Sequence, residues 1–219
     1  MNVIAIVIGT LVGVKLGVKV QKRHTKIVMR ILGLVTLILG AQMLLEFRGA
    51  VPIIAVIVGG VIGHFLRIDA RVNSFIARFS KSDNLAGKGF VTASVLFCVG
   101  PMSIIGPLED GLRGNPGILL TKSGLDGVSS LIFGATFGIG VILSAVLVLI
   151  LQGSITVFAG YASSVLTKSI TADLTATGGA LVLLIALTLL GFEKLKVENL
   201  LPALLFAAIF SAFLPRFPF

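Results

Sequence analysis

The sequence predicts an all-α protein that crosses a lipid bilayer with several helices. Of its 219 residues, 56% are hydrophobic and only 12% are charged, and the mean hydropathy is +1.11. Apolar stretches follow one another from the first residue to the last without a long polar linker. A soluble domain could not bury this much apolar surface. We therefore predict one integral membrane domain over residues 1–219, with lipid as its main partner.

Six apolar stretches approach the length of roughly 20 residues that a transmembrane helix needs. The first has neither the basic start nor the cleavage site of a signal peptide, so we expect it to be a membrane helix. Two further stretches, 86–121 and 152–176, are less regular, and we expect each to hold a broken or re-entrant helix. The six predicted helices cover 1–18, 29–46, 51–67, 127–151, 177–192 and 199–214.

The chain also resembles itself. Residues 33–45 resemble residues 179–191, and Pro52 then corresponds to Pro202. The glycine pair Gly9 and Gly13 corresponds in the same way to Gly134 and Gly138. We predict two three-helix units, at about 1–80 and 127–214, joined by a broken-helix connector at about 86–121. Internal repeats of this kind are typical of secondary transporters.

The basic residues indicate orientation rather than nucleic-acid binding. The chain carries a net charge of +9, but its Lys and Arg residues lie in short loops between apolar stretches, which is the positive-inside pattern. If 86–121 is re-entrant, the second unit is inverted and 15 of the 18 basic residues are cytoplasmic; if it crosses the membrane, 13 are. Both readings place the N-terminus outside a bacterial inner membrane, and the count favours the inverted repeat.

Small residues recur at every fourth position, as in Gly9, Gly13 and Gly17. This spacing allows two helix backbones to approach closely. The partner helix could belong to the same chain or to a second copy, and we expect a homodimer.

The stretch from Gly100 to Gly114 contains two Gly-Pro pairs, Gly100-Pro101 and Gly106-Pro107. Each proline frees a backbone carbonyl that then needs a partner. Water or a passing cation could fill that role, as in the broken helices of transporters. The alternative is a simple proline kink that a neighbouring helix satisfies.

Three carboxylates, Glu109, Asp110 and Asp126, lie in or near this stretch, with the hydroxyl of Ser123 close by in the sequence. Carboxylates at membrane depth are costly and therefore tend to be functional. Their oxygens suit an alkali cation or proton transfer. The alternatives are a helix cap for Asp126 and a solvated loop for Glu109.

Residues 152–176 are rich in hydroxyl and amide side chains, among them Gln152 and Thr175. Such a stretch could line an aqueous path. The alternatives are an amphipathic segment on the membrane surface or a periplasmic loop.

No enzyme motif is present: there is no Walker loop, no zinc-protease signature and no nucleophile elbow. The single cysteine, Cys98, can form neither an intramolecular disulfide nor a cysteine-based metal site within one chain. We expect no cofactor and no enzymatic activity.

The chain resembles the YqgA-like bacterial membrane proteins, the family called domain of unknown function 554, over essentially its full length. Glu109 departs from the family pattern, in which glutamine is more usual, and this weakens any role that needs a neutral amide there. The resemblance implies cation transport, because the family has been described as candidate sodium channels or pumps. It is carried by the motifs at 100–106, 110–114, 122–127, 133, 138–144, 152–153, 175–179 and 199–203.

Together these observations predict a membrane transport protein, either a sodium or other cation channel or an ion-coupled transporter. An exporter of a small organic solute and a non-transporting scaffold or sensor remain alternatives. We expect the path to be lined by Gly100, Pro101, Ser103, Gly106, Pro107, Glu109, Asp110, Ser123, Asp126, Gln152 and Thr175.

Overall fold

The computed structural model describes residues 1–17, 22–47, 49–77, 83–192 and 196–213, and the regular secondary structure of these residues is all helical, with no strand. Two short 3-10 helices, Gly138–Val141 and Val197–Leu200, interrupt the α-helices. The α-helices are α1 (Asn2–Gly17), α2 (Lys22–Leu44), α3 (Val51–Phe65), α4 (Ile68–Ala77), α5 (Asp83–Cys98), α6 (Pro101–Arg113), α7 (Gly117–Phe137), α8 (Ile142–Val157), α9 (Ala159–Val165), α10 (Lys168–Leu190) and α11 (Pro202–Phe213).

The all-helical prediction is confirmed, but six membrane-spanning helices are not. Among the described residues, two stretches are long and apolar enough to cross a bilayer, Gly117–Val157 and Lys168–Leu190. The pair α5 and α6, bent by 53°, could make a third. The remaining apolar helices have 10–17 residues. The finer count of six therefore stays a prediction.

The helices sort into two compact units. The first contains α1 and α5 to α9, and the second contains most of α2, α3, most of α4, α10 and α11. Each unit thus combines helices from both predicted repeats. The predicted division into repeats at 1–80 and 127–214 concerns which helices correspond in sequence, not which helices pack together, and it stays a prediction.

In the first unit, α1 packs along α7 through small residues. A side chain on Gly9 would overlap the backbone of Gly127, and one on Gly17 would overlap that of Ala135. Because the contact moves forward along both helices, α1 and α7 are parallel. The glycine spacing therefore serves packing within the chain, which is one of the two alternatives that the sequence left open.

The chain reverses direction between α7 and α8. Gly138 ends α7 with φ 79° and ψ −155°, a backbone conformation that favours glycine. A straight helix would place Asp126 and Gln152 about 39 Å apart, yet Asn2 Nδ2 donates hydrogen bonds to both side chains. The predicted span 127–151 is therefore the turn of a hairpin rather than one straight helix.

The broken helix α5–α6 follows α8 along its length. Near its start, Gly89 lies against Val141, and near its end, Gly111 lies against Thr156. A re-entrant loop would return to the end where it began. In this unit residues 86–121 therefore form a bent rod followed by a turn into α7, not a re-entrant loop.

The second unit pairs antiparallel helices. Gly33 of α2 lies against Leu190 of α10, and Gly40 lies against Leu183, so the contact runs in opposite directions along the two helices. Gly59 and Gly63 of α3 likewise meet Ala203 and Asn199 at the start of α11. The predicted repeat makes α2 correspond to α10 and α3 to α11. If the repeat is inverted, the two helices of each pair must be antiparallel, as they are here.

One end of this unit carries a polar contact outside the apolar helices. Lys196 Nζ lies 2.7 Å from Asp69 Oδ2, and the backbone N–H of Asp69 donates to Asn199 Oδ1 at 2.9 Å. The hydrogen bond from Lys196 lowers the pKa of the Asp69 carboxyl. These contacts connect the start of α4 to the turn that leads into α11.

Candidate functional site

The break between α5 and α6 is a glycine-dependent turn. Gly100 has φ 141° and ψ 156°, and Pro101 follows it in the first turn of α6. Ser103 is buried, and its hydroxyl donates to the carbonyl oxygen of Phe97 at 2.8 Å. At least one carbonyl near the break is therefore satisfied within the protein, as the kink alternative expects.

The second Gly-Pro pair lies inside α6. Pro107 is fully buried, and a side chain on Gly106 would crowd Leu119 at 3.1 Å and Ile118 at 3.2 Å. Gly106 therefore allows α6 to approach the first turns of α7. This close packing holds α6 against the start of α7, the helix that carries Lys122 and Asp126.

A buried ion pair lies on one face of α7. Lys122 Nζ is 2.9 Å from Asp126 Oδ2 and 3.1 Å from Oδ1. The two residues are only 5% and 6% exposed. They are four positions apart, so α-helical geometry brings their side chains together. Burying either charge without the other would be strongly unfavourable.

Two amide side chains extend the ion pair to two other helices. Asn2 of α1 donates through Nδ2 to Asp126 Oδ2 at 2.8 Å and to Gln152 Oε1 of α8 at 3.2 Å. Asn2 is 5% exposed and Gln152 is 7% exposed. We call Asn2, Lys122, Asp126 and Gln152 the polar cluster. It joins α1, α7 and α8 through the amide of Asn2, which bonds to both Asp126 and Gln152.

Two polar atoms of the cluster have no hydrogen-bond partner among the residues that the structure describes. They are Asn2 Oδ1, an acceptor, and Gln152 Nε2, a donor, and both atoms are buried. Exchanging the amide oxygen and nitrogen of either side chain would lose a bond, because Asp126 and Gln152 Oε1 both need the donor Nδ2. Such orphan groups are unusual enough in folded proteins to need an explanation.

The two residues that carry these unpartnered atoms line a cleft of about 290 Å³. Asn2 and Gln152 line it, together with Asp110 of α6. Its other walls are mostly apolar and include Leu119, Leu120, Val148, Leu149 and Val157. The cleft thus combines an apolar chamber with one carboxylate and two amide groups.

The structure brings together three of the predicted site residues, Asp110, Asp126 and Gln152. Glu109 instead forms a surface pair with Arg113 at 3.2 Å. Ser123 is buried, but its hydroxyl donates to the carbonyl of Leu119 at 2.7 Å. Thr175 belongs to the second unit, where its hydroxyl donates to the carbonyl of Thr171 at 2.7 Å. The hydroxyl-rich stretch 152–176 is divided among α8, α9 and α10.

Asn2 and Lys122 were not predicted as site residues. The spacing of Lys122 and Asp126 by four positions could have indicated their ion pair. Asn2 is a polar residue at the start of an apolar helix, but nothing in the sequence shows that it meets residues more than 120 positions away.

Comparison with known proteins gives a consistent result. The model of the family described as "Protein of unknown function (DUF554)" matches residues 1–212. An uncharacterized membrane protein of Bacillus subtilis (strain 168), YdfK, is 34% identical over 209 residues, which cover 93% of this chain and 90% of YdfK. The uncharacterized protein YqgA of Escherichia coli (strain K12) is 29% identical over 221 residues, covering 96% of this chain and 94% of YqgA.

No solved structure matches the chain. The family match covers nearly the whole sequence, including the four residues of the polar cluster and Asp110. The apolar helices and the relation to YdfK both indicate a membrane protein. On this evidence the chain is a membrane protein that belongs to the DUF554 family.

Proposed function

We propose that this protein is an ion-coupled membrane transporter and that the Lys122–Asp126 pair is its coupling centre. The observation that carries the proposal is a buried ion pair within an apolar helix stretch, hydrogen-bonded to a second helix and adjacent to a cleft. Ionisable residues at membrane depth are costly, and they typically mark ion or substrate paths.

The position of Asp126 allows a change in its charge to alter the contacts between helices. Its carboxylate accepts bonds from Lys122 on its own helix and from Asn2 on α1, and Asn2 in turn contacts Gln152 on α8. Neutralising Asp126 would remove the charge that holds Lys122 and weaken the contact to α1. A change at one carboxylate would thus alter the contacts among three helices, as a coupled conformational step requires.

The proton is the coupling ion that these residues support best. Asp126 is already neutralised by Lys122, so a sodium ion would have to displace the lysine ammonium. Among the described residues no group of three or more His, Cys, Asp and Glu side chains could hold a metal ion. We therefore favour a proton-coupled transporter over a sodium channel, and we leave Glu109 out of the path.

The charges of each unit support an N-terminus outside the cytoplasmic membrane. In the first unit, Lys15 and Lys88 lie toward the end where α1 finishes and α5 begins, and both are exposed. The opposite end carries Arg113 and Lys122, and both are paired with acids. Lys22 and Arg23 at the start of α2 follow the end of α1 by only five and six residues, so by the positive-inside rule we place the end with Lys15 in the cytoplasm.

The second unit has the same asymmetry. Arg30, Arg67, Arg71 and Lys196 lie toward the end where α3 finishes and α11 begins, whereas Lys168 lies at the start of α10. A multi-pass arrangement, the inverted repeat and the homodimer all belong to this proposal. The antiparallel pairing of α2 with α10 and of α3 with α11 supports the inverted relation, whereas the parallel packing of α1 with α7, which carry the predicted counterparts Gly9 and Gly134, does not.

Charge movement in proteoliposomes tests the proposal. We would compare the wild type with the double variant Lys122→Met/Asp126→Leu, which removes both charges together. The matched control is Glu109→Gln/Arg113→Met, because that pair has the same spacing on α6 but lies at the surface. Transient currents would be recorded at acid and neutral pH while sodium and a panel of small solutes are applied.

We expect a pH-dependent current in the wild type and in the Glu109→Gln/Arg113→Met control, and at least a tenfold loss in Lys122→Met/Asp126→Leu. An unchanged current in the Lys122→Met/Asp126→Leu protein would remove the ion pair from the mechanism. A wild-type protein without current for any solute or for sodium would favour a scaffold or sensor.

A further inference from the structure

The orphan atoms of the polar cluster define what the cleft can bind. Asn2 Oδ1 needs a donor, and Gln152 Nε2 needs an acceptor. Both side chains are more than nine-tenths buried, and both line the cleft. A molecule in the cleft that presents a donor and an acceptor would satisfy both atoms, and their burial without partners carries a desolvation cost.

A bare metal cation does not fit this chemistry. The oxygen of Asn2 could serve as a ligand for an ion, but Gln152, which lines the same cleft, carries an unpartnered N–H donor that an ion cannot satisfy. The volume also argues against a single ion, since about 290 Å³ is about ten times the volume of one water molecule in the liquid. It is close to the lower limit of about 300 Å³ for small-molecule sites.

The charge of the cleft selects among organic molecules. Asp110 is the charged side chain among the lining residues, and it is partly exposed. The nearby ammonium of Lys122 is held by both oxygens of Asp126, so it is not available to bind an anion. An ammonium group on a ligand can therefore pair with Asp110, while Met1, whose α-amino group is also positive, lines the same cleft and leaves it without a net negative charge.

We propose that this cleft binds a small organic cation, with its ammonium group beside Asp110 and Asn2 Oδ1 and a carbonyl or hydroxyl oxygen accepting from Gln152 Nε2. The apolar body of the molecule packs against Leu119, Leu149 and their neighbours. This inference rests on the proposed function, because it names the class of solute that the transporter would carry.

Leucinamide is a suitable probe because it combines an ammonium group, a carbonyl oxygen and a branched apolar chain. Two analogues each lack one feature: 4-methylpentanamide has no ammonium group, and 3-methylbutylamine has no carbonyl. Binding to the detergent-purified full chain would be measured at pH 6.5 by saturation-transfer NMR or calorimetry. We expect saturable leucinamide binding, about tenfold tighter than that of either analogue.

A matched pair of variants on α6 tests the location. Asp110→Asn and Glu109→Gln remove the same charge at neighbouring positions, but only Asp110 lines the cleft. We expect leucinamide affinity to fall about tenfold in Asp110→Asn and less than twofold in Glu109→Gln. Asp110 is partly exposed, so the Asp110→Asn protein should fold, and its melting temperature would check this.

Three results would overturn the inference: no saturable leucinamide binding, equal affinity for leucinamide and 4-methylpentanamide, or equal affinity in the Asp110→Asn and wild-type proteins. Binding is measured without a membrane or a gradient, so it does not depend on coupling. Binding without any charge movement would reject the proposed transport and keep the cleft, whereas charge movement without leucinamide binding would reject only this inference.

Discussion

Buried polar side chains are satisfied in different ways in the two units. In the first unit, Asn2, Asp126 and Gln152 bond to one another across three helices. In the second unit, Thr171 bonds to the carbonyl of Thr167, and Thr175 bonds to that of Thr171. The difference follows from chemistry, since a hydroxyl can reach a carbonyl of its own helix, whereas amides and carboxylates have too many sites to fill locally.

This difference separates packing from function. A hydroxyl that bonds to its own helix needs nothing from a neighbour, so a row of threonines can lie in a helix interface without forming a site. A carboxylate bound to several helices connects their positions to its own charge. Asp173 in the second unit follows neither pattern. It is only 8% exposed, yet no described residue forms a hydrogen bond to its carboxylate.

The largest expected effect comes from breaking the ion pair on one side only. Lys122→Met should lower stability by about 3–5 kcal/mol, because it leaves the Asp126 charge buried without an opposite charge. The loss would be measured as a fall in the unfolding transition in mild detergent. Adding Asp126→Leu should recover most of it.

If the Lys122→Met/Asp126→Leu protein is no more stable than Lys122→Met, the cost does not come from an uncompensated charge. Asp126 would then contribute through its contact with Asn2 instead, and a separate double-mutant cycle of Asn2→Leu and Asp126→Leu would measure the energy of that bond.

A smaller effect should distinguish bonds between helices from bonds within a helix. Asn2→Leu removes a donor from buried Asp126 and should cost about 1–3 kcal/mol. Thr175→Val replaces a hydroxyl whose bond stays within α10 by a methyl group of similar size, and it should cost less than about 1.5 kcal/mol. Both would be measured by unfolding in the same detergent, and equal losses would contradict the comparison.

The smallest effect concerns the surface pair at the end of the second unit. The hydrogen bond from Lys196 lowers the pKa of Asp69, so the pair stabilises the fold above the pKa of the unfolded carboxyl, about 3.9. That stability is lost as the pH falls through the lowered pKa of the folded state. Lys196→Met should therefore lower the melting temperature slightly at about pH 7, and by less as the pH falls further below about 3.9.

A melting-temperature difference between the wild type and Lys196→Met that stays constant from neutral to acid pH would mean that Lys196 acts through packing of its side chain, not through the Asp69 carboxylate. Arg71→Met, another basic surface residue near this end of the unit, is the control for a general loss of positive charge.

Much of the local structure could be predicted from particular residues. Gly100 and Pro101 predicted a helix break, and a glycine-dependent turn lies there. The spacing of Gly9, Gly13 and Gly17 predicted a close helix contact, and α7 provides it. The reversal at Gly138 was not predicted, because an apolar run has the same composition whether it is straight or folded back.

The sequence by itself determined that this protein is helical and lies in a membrane, because composition and hydropathy set which solvent the chain can tolerate. It also determined the family and the places where a helix must break, since proline and glycine act locally. Only the tertiary structure decided that Asp126 is paired, that Asn2 reaches it, and that Asp110 and Gln152 share a cleft. Those contacts join residues far apart in the chain, and helix packing rather than local sequence sets which of them meet.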